Sequence, residues 1–254
     1  MGEVSIDIRE GVAVLTIDRP HVRNAIGLQT VAELGTILDD LVGEPPKVLV
    51  IRGAGDRAFV SGGDLKELAL IRDVEGASQM ARGVRRLLDR IACFPVPVIA
   101  ALNGHALGGG AEVAVAADIR VAADDVQIGF TQVGLGIMPA WGGAERLTEI
   151  VGRSKALLLI GLGGKLSAAE AERIGLVDVV TGRDDFDTAW RHLAGDFARL
   201  PLAASLAVKS SIAAAKPHVH PELEADAVRQ FALLWTSDEH WRAAAGASTP
   251  LKSL

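Results

Sequence analysis

An α/β fold with a helical carboxy-terminal region is predicted by three features of this sequence. Short runs rich in β-branched residues open the chain, apolar strand-like runs then alternate with segments of helical period, and the last third turns rich in alanine and leucine. Residues 4–8 and 12–17, separated by Arg9-Glu10-Gly11, read as a hairpin. Residues 30–41 carry Val31, Leu34, Ile37, Leu38 and Leu41 at helical spacing, and the solid apolar run 48–51 is the next strand. Residues 80–91 are again helical, 96–102 strand-like, and 111–117 an almost wholly apolar helix that belongs in the interior. From about Ser154 helical segments follow at 155–160, 168–174, 186–198, 202–215 and 223–235, with a break expected at 216–221. The expected division is a core of residues 1–195 and a helical region of residues 196–254.

Composition removes several classes. With 254 residues there is ample chain for a sizeable core. Lys and Arg number 26 against 32 Asp and Glu, a net charge of −6 at pH 7, and the basic residues form no extended run, so no nucleic-acid surface is expected. Cys93 is the only cysteine, which excludes an intramolecular disulfide and a cysteine-based zinc cage and suits a reducing cytoplasm. The start Met1-Gly2-Glu3-Val4 lacks a signal pattern and reads as a mature start; no apolar stretch reaches the roughly 18 residues of a membrane span. There is no tyrosine, so no tyrosyl acid or nucleophile is available.

Glycine-rich stretches carry the chemistry. Gly53-Ala54-Gly55-Asp56-Arg57-Ala58 follows a strand and fits a dinucleotide fingerprint, but that fingerprint must open a helix at once, and Phe59-Val60-Ser61 continues with strand chemistry instead. No Gly-Lys-Ser/Thr or G-x-S-x-G pattern supports a triphosphatase or a serine hydrolase. Gly108-Gly109-Gly110 follows the apolar run 97–102 and precedes a helix whose first turn holds Glu112, so bare amides lie beside a lone carboxylate. Ser61-Gly62-Gly63-Asp64 likewise joins a strand-like segment to the helical 65–71. Two such junctions can bracket one oxygen, with Glu112 placed to move a proton.

On these motifs, in this order, the sequence resembles the crotonase (enoyl-CoA hydratase/isomerase) superfamily from about Val4 to the C-terminal helix. Arg19-Pro20-His21-Val22-Arg23-Asn24-Ala25 is similar to the family's Arg-Pro-x-x-x-Asn-Ala segment, residues 58–65 to its first oxyanion loop and residues 103–112 to its second. Ala117-Asp118-Ile119-Arg120, residues 136–143, and Leu166-Ser167-Ala168 leading to Gly175-Leu176-Val177 also match. The resemblance implies a crotonase-like ββα spiral core, a C-terminal trimerisation region, a homotrimer or dimer of trimers, and an acyl-CoA substrate without metal or redox cofactor.

It also implies roles. The amides of Gly63 and Gly109 would hold the thioester oxygen of an enolate, and Glu112 would be the acid/base. The family's second catalytic glutamate falls at Gln132, a departure that leaves one titrating group. Ser61, Met138 and Trp141 would line the acyl site; Arg19, His21, Arg23, Asp64 and Lys252 are candidates for CoA contacts, Asp64 also for a helix cap. His105 is expected to be structural. Hydratase/isomerase-type chemistry is expected first; the one-carboxylate site would also suffice for shifting a double bond and looks like members that decarboxylate malonyl-type thioesters, and a chain that binds thioesters as a scaffold is the non-enzymatic alternative.

Overall fold

The computed structural model describes residues 2–214 and 221–246. Strands β1 (Val4–Arg9) and β2 (Val12–Ile17) form the expected hairpin, turning on Glu10 and Gly11, both at positive φ. Along β2 the alternate residues Ala13, Leu15 and Ile17 are buried, the period of a strand with one face on the core. Helix α1 (Leu28–Gly43) buries Thr30, Leu34, Leu38 and Leu41 at intervals of three and four. Strands β3 (Val48–Gly53) and β5 (Val98–Leu102) are buried on both faces, as parallel strands between layers must be. Between them lie β4 (Ala58–Val60), the short α2 (Leu65–Leu68) and the long α3 (Val74–Ala92).

After β5 come β6 (His105–Leu107), α4 (Gly109–Ala114), β7 (Ile119–Ala123), β8 (Gln127–Gly129), α5 (Gly143–Val151), α6 (Arg153–Leu162), β9 (Lys165–Ser167), α7 (Ala168–Arg173) and β10 (Val179–Thr181). Helices α8 (Phe186–Arg199), α9 (Leu202–Ala214), α10 (Pro221–Trp235) and α11 (Asp238–Gly246) follow, so the described part of the last third is largely helical, as expected. Residue 195, the expected division, falls inside α8, which rests on β2, β3, β5 and β7 of the core. The expected break at 216–221 lies almost wholly outside the described residues.

A six-stranded sheet runs β1-β2-β3-β5-β7-β10 and is parallel except for the first hairpin; a four-stranded sheet runs β4-β6-β8-β9. In the small sheet β4, β6 and β8 are mutually parallel. Their carboxyl ends therefore share one edge, and the loops that leave them, at residues 61–63, 108 and 130–132, emerge side by side. Parallel sheets place ligands at this end of their strands. The 53–58 segment enters β4 with no helix, which disposes of the dinucleotide fingerprint.

Two buried asparagines pin that segment. Asn24 Nδ2 donates to the carbonyls of Ala54 (3.0 Å) and Ala58 (2.8 Å), while Asn103 accepts from Gly53 N (2.9 Å) and donates to Gly55 O (2.7 Å). Gly104 crosses β4 so closely that a Cβ would stand 2.3 Å from Ala58 N. Side-chain amides thus replace the ladder hydrogen bonds that an irregular loop lacks.

Candidate active site

The parallel pairing of β4 with β6 sets the two glycine loops against each other. A Cβ on Gly62 would lie 3.3 Å from Gly109 N, and one on Gly110 would collide with Val60 O at 1.8 Å. Gly108 takes φ 56° and ψ −121°, a glycine-only conformation that bends β6 directly into α4. Gly63 forms an isolated parallel bridge with Ile26 in which the hydrogen bonds run through its neighbours, from Ile26 N to Gly62 O and from Asp64 N to Ile26 O. That pattern leaves Gly63 N–H pointing the other way. Gly109 N opens α4, where no intrahelical acceptor exists.

Both glycines border a cavity of about 90 Å³ whose walls also include Ser61, Glu112, Gln132, Met138 and Trp141. All six residues of α4 are buried, so Glu112 is carried into the interior and is only 2% exposed. Its carboxylate is held at both oxygens: Trp141 N and Gly143 N donate to Oε2 at 2.8 and 2.9 Å, and Gln132 Nε2 donates to Oε1 at 2.9 Å. Gly143 begins α5, so the carboxylate also sits at the positive end of that helix. Burial outweighs these favourable contacts and pushes the Glu112 carboxyl up from its ordinary 4.5 to about 7; the Gly143 and Trp141 amides, Gln132 and the charge of Arg146 restrain the rise.

Gln132 is itself buried, and its Oε1 has no partner among the described residues. Donation of its amide nitrogen to Glu112 leaves this oxygen as a buried acceptor on a residue that lines the pocket. The Trp141 ring lies over both glycines: a Cβ on Gly109 would reach it at 2.2 Å, and one on Gly63 at 3.6 Å.

The structure thus gathers Ser61, Gly63, Gly109, Glu112, Gln132, Met138 and Trp141 into one pocket. None of the described charged residues expected at CoA lines this cavity. Arg19 is buried and committed to protein partners, Asp64 at 3.0 Å, Glu3, and Ala25 O, because a buried guanidinium must have its donors met. Asp64 caps α2, accepting from Lys66 N and Glu67 N. His21 and Arg23 are exposed on the turn that follows Arg19, where Ser61 Oγ reaches Val22 O at 3.4 Å. Lys252 lies outside the described residues. His105 stands apart, its ring nitrogen accepting from Gln127 N. Sequence reasoning missed the Gly143 amide and the pocket walls given by Leu68, Met80, Leu135, Phe231 and Trp235. Their helical periods were visible, but nothing in a period says which cavity a core residue meets.

A family model described as enoyl-CoA hydratase/isomerase matches residues 7–240. The chain is 41% identical over 180 residues to a Bacillus subtilis protein named probable enoyl-CoA hydratase, covering 70% of this chain and 69% of that one. It is 37% identical over 201 residues to the short-chain-enoyl-CoA hydratase of Clostridium acetobutylicum, covering 78% and 77% of the two chains. Among solved structures it is similar to an enoyl-CoA hydratase from Bacillus anthracis, with a TM-score of 0.82, 30% identity and 99% of each chain covered.

Proposed function

Given that this chain belongs to the enoyl-CoA hydratase/isomerase family, and so is an acyl-CoA enzyme of that type, we propose that it adds water across the double bond of 2-enoyl-CoA thioesters with Glu112 as its only acid/base. The unpartnered Oε1 of Gln132 carries this choice. A buried acceptor calls for a donor, and water supplies one. The carboxylate of a malonyl-type substrate supplies only further acceptors.

Water gives one proton to the ionised Glu112 while its second hydrogen faces Gln132 Oε1, and its oxygen bonds to Cβ. The double-bond electrons move to the thioester oxygen, where the Gly63 and Gly109 amides receive the enolate charge. Glu112 then returns its proton to Cα, and the carboxylate is regenerated. No metal or redox cofactor takes part, and CoA enters as part of the substrate.

This cycle begins and ends with the carboxylate. kcat/KM on crotonyl-CoA is therefore expected to rise with pH through about 7 and level off above it. Decarboxylation needs the opposite form of Glu112, since the group must already hold the proton that quenches the enolate; its rate would fall through the same range. Mass-resolved turnover of crotonyl-CoA and methylmalonyl-CoA across pH 5–9 checks both. A gain of water with a rising limb supports hydration; loss of carbon dioxide with a falling limb overturns it in favour of decarboxylation, and thioester binding without turnover leaves the scaffold.

The same reading places the protein in the cytoplasm as a homotrimer or a dimer of trimers. Among the described residues no helix is long and apolar enough to cross a membrane. Leu157, Leu158 and Leu162 on α6 and Val208 and Ile212 on α9 are exposed apolar side chains of the kind that subunit contacts cover. Light scattering on the purified chain should return three or six times the 26.5 kDa monomer; a monomer at micromolar concentration overturns the assembly.

A further inference from the structure

The pocket that holds Glu112 is walled in part by the chain's own carboxy-terminal helices. Helix α10 lies along α3 and brings Phe231 and Trp235, both almost fully buried, to the cavity, where Met80 of α3 lines the same space. Trp235 is fastened from several directions. Its indole N–H donates to Ile71 O at 2.9 Å, and its ring meets those of Phe231 at 5.6 Å, His240 at 4.7 Å and Trp241 at 5.3 Å. His240, with no exposed surface, lies with Nδ1 2.6 Å from Leu135 O, on the turn that also carries Gln132. Its backbone presses on Gly136 of that turn, where a Cβ would come within 3.3 Å of His240 Cα. The Arg72 guanidinium covers the Trp241 ring at 3.5 Å.

A wall tied at the Ile71 carbonyl, at the catalytic turn and through an aromatic cluster does not yield as a lone side chain would. The space that it leaves, about 90 Å³, is smaller than the ~150 Å³ apolar cavity that accommodates a benzene ring. We propose that Trp235, backed by Phe231 and His240, is the specificity-determining residue that limits this enzyme to short acyl chains of about crotonyl size. The proposal rests on the thioester occupying this pocket, as the hydration reading has it.

The test is calorimetric binding of saturated thioesters, which cannot be hydrated, to the full-length protein. Butanoyl-CoA is expected to bind at least tenfold more tightly than decanoyl-CoA, and Trp235→Ala to bring decanoyl-CoA within about threefold of butanoyl-CoA while preserving circular dichroism. Phe231→Ala and Trp235→Phe guard against a misfolded Trp235→Ala and should admit hexanoyl-CoA or octanoyl-CoA as the first longer ligands. Wild-type binding that is indifferent to chain length, or folded variants that keep the wild-type preference, overturn the role of the wall while leaving the hydration reading intact. Failure of the wild type to bind any thioester overturns the pocket assignment and this proposal with it.

Discussion

Glu112→Gln is expected to lower turnover of crotonyl-CoA by about 10²–10⁴-fold, the usual worth of a positioned general acid/base, and at the same time to leave a fold more stable than the wild type above pH 7. Both effects come from one cause. Burial raises the carboxyl to about 7 from an ordinary 4.5, so the folded state binds this proton more tightly than the unfolded chain does. The stabilisation that this gives is complete below pH 4.5 and is lost as pH rises to about 7. Glutamine has nothing to lose. Its carbonyl can accept from Trp141 N and Gly143 N as the carboxylate does, and its amide can donate to Gln132 Oε1 once that side chain turns over. The advantage of the variant should therefore open between pH 4.5 and 7 and approach about 3 kcal/mol as an upper limit. Melting curves of both proteins across that range check it. Parallel curves would contradict the raised carboxyl, and preserved turnover would remove Glu112 from proton transfer.

Gly109→Ala is expected to cost at least about 10²-fold in kcat/KM, the scale of one lost oxyanion donor, although it removes no functional group. The added methyl would stand 2.2 Å from the Trp141 ring, with two further ring atoms within 2.9 Å, so either the ring or the loop must move. Either movement is costly. Shifting the loop turns the Gly109 amide, and shifting the ring drags on the Trp141 amide that orients Glu112. Gly83→Ala, in α3 with nothing within 4 Å of the new methyl, is the matched control and should leave the rate unchanged. Steady-state kinetics of the two variants decide the matter: a Gly109→Ala enzyme with wild-type kcat/KM would take this amide out of the site.

The parts of the molecule legible in the sequence are those in which local pattern and final environment agree. The alternation in β2, the solid apolar β3 and β5 and the interior helix α4 with its lone carboxylate each state their burial in their residues. Strands β6, β8 and β9 have three residues each, too few for any period to show, so the sheet edge that aligns the site loops was invisible. Arg19 and Asp64 show a different limit. Charges near a glycine loop look available to a phosphate, and only the fold reveals that they neutralise each other. The aromatic wall from α10 and α11 depends on a fold-back across more than half the chain, from Ile71 to Trp235. Helical spacing announces an apolar face but does not name its partner.

Because the proposed oxyanion donors at Gly63 and Gly109 are main-chain amides, this site has an unusual profile of vulnerability. Mutations that strip atoms from a side chain cannot reach these two donors, and the commonest losses are therefore harmless to them. Damage arrives by addition: a single methyl at residue 109, 110 or 143 meets an occupied volume, at Trp141, Val60 or Glu112 respectively. Bulk therefore constrains these positions more than chemical identity does, whereas residue 132, which supplies a side chain on a separate loop, can change chemistry without disturbing the cradle. A fold organised in this way can change its chemistry at one position while the proposed cradle for the enolate oxygen stays intact.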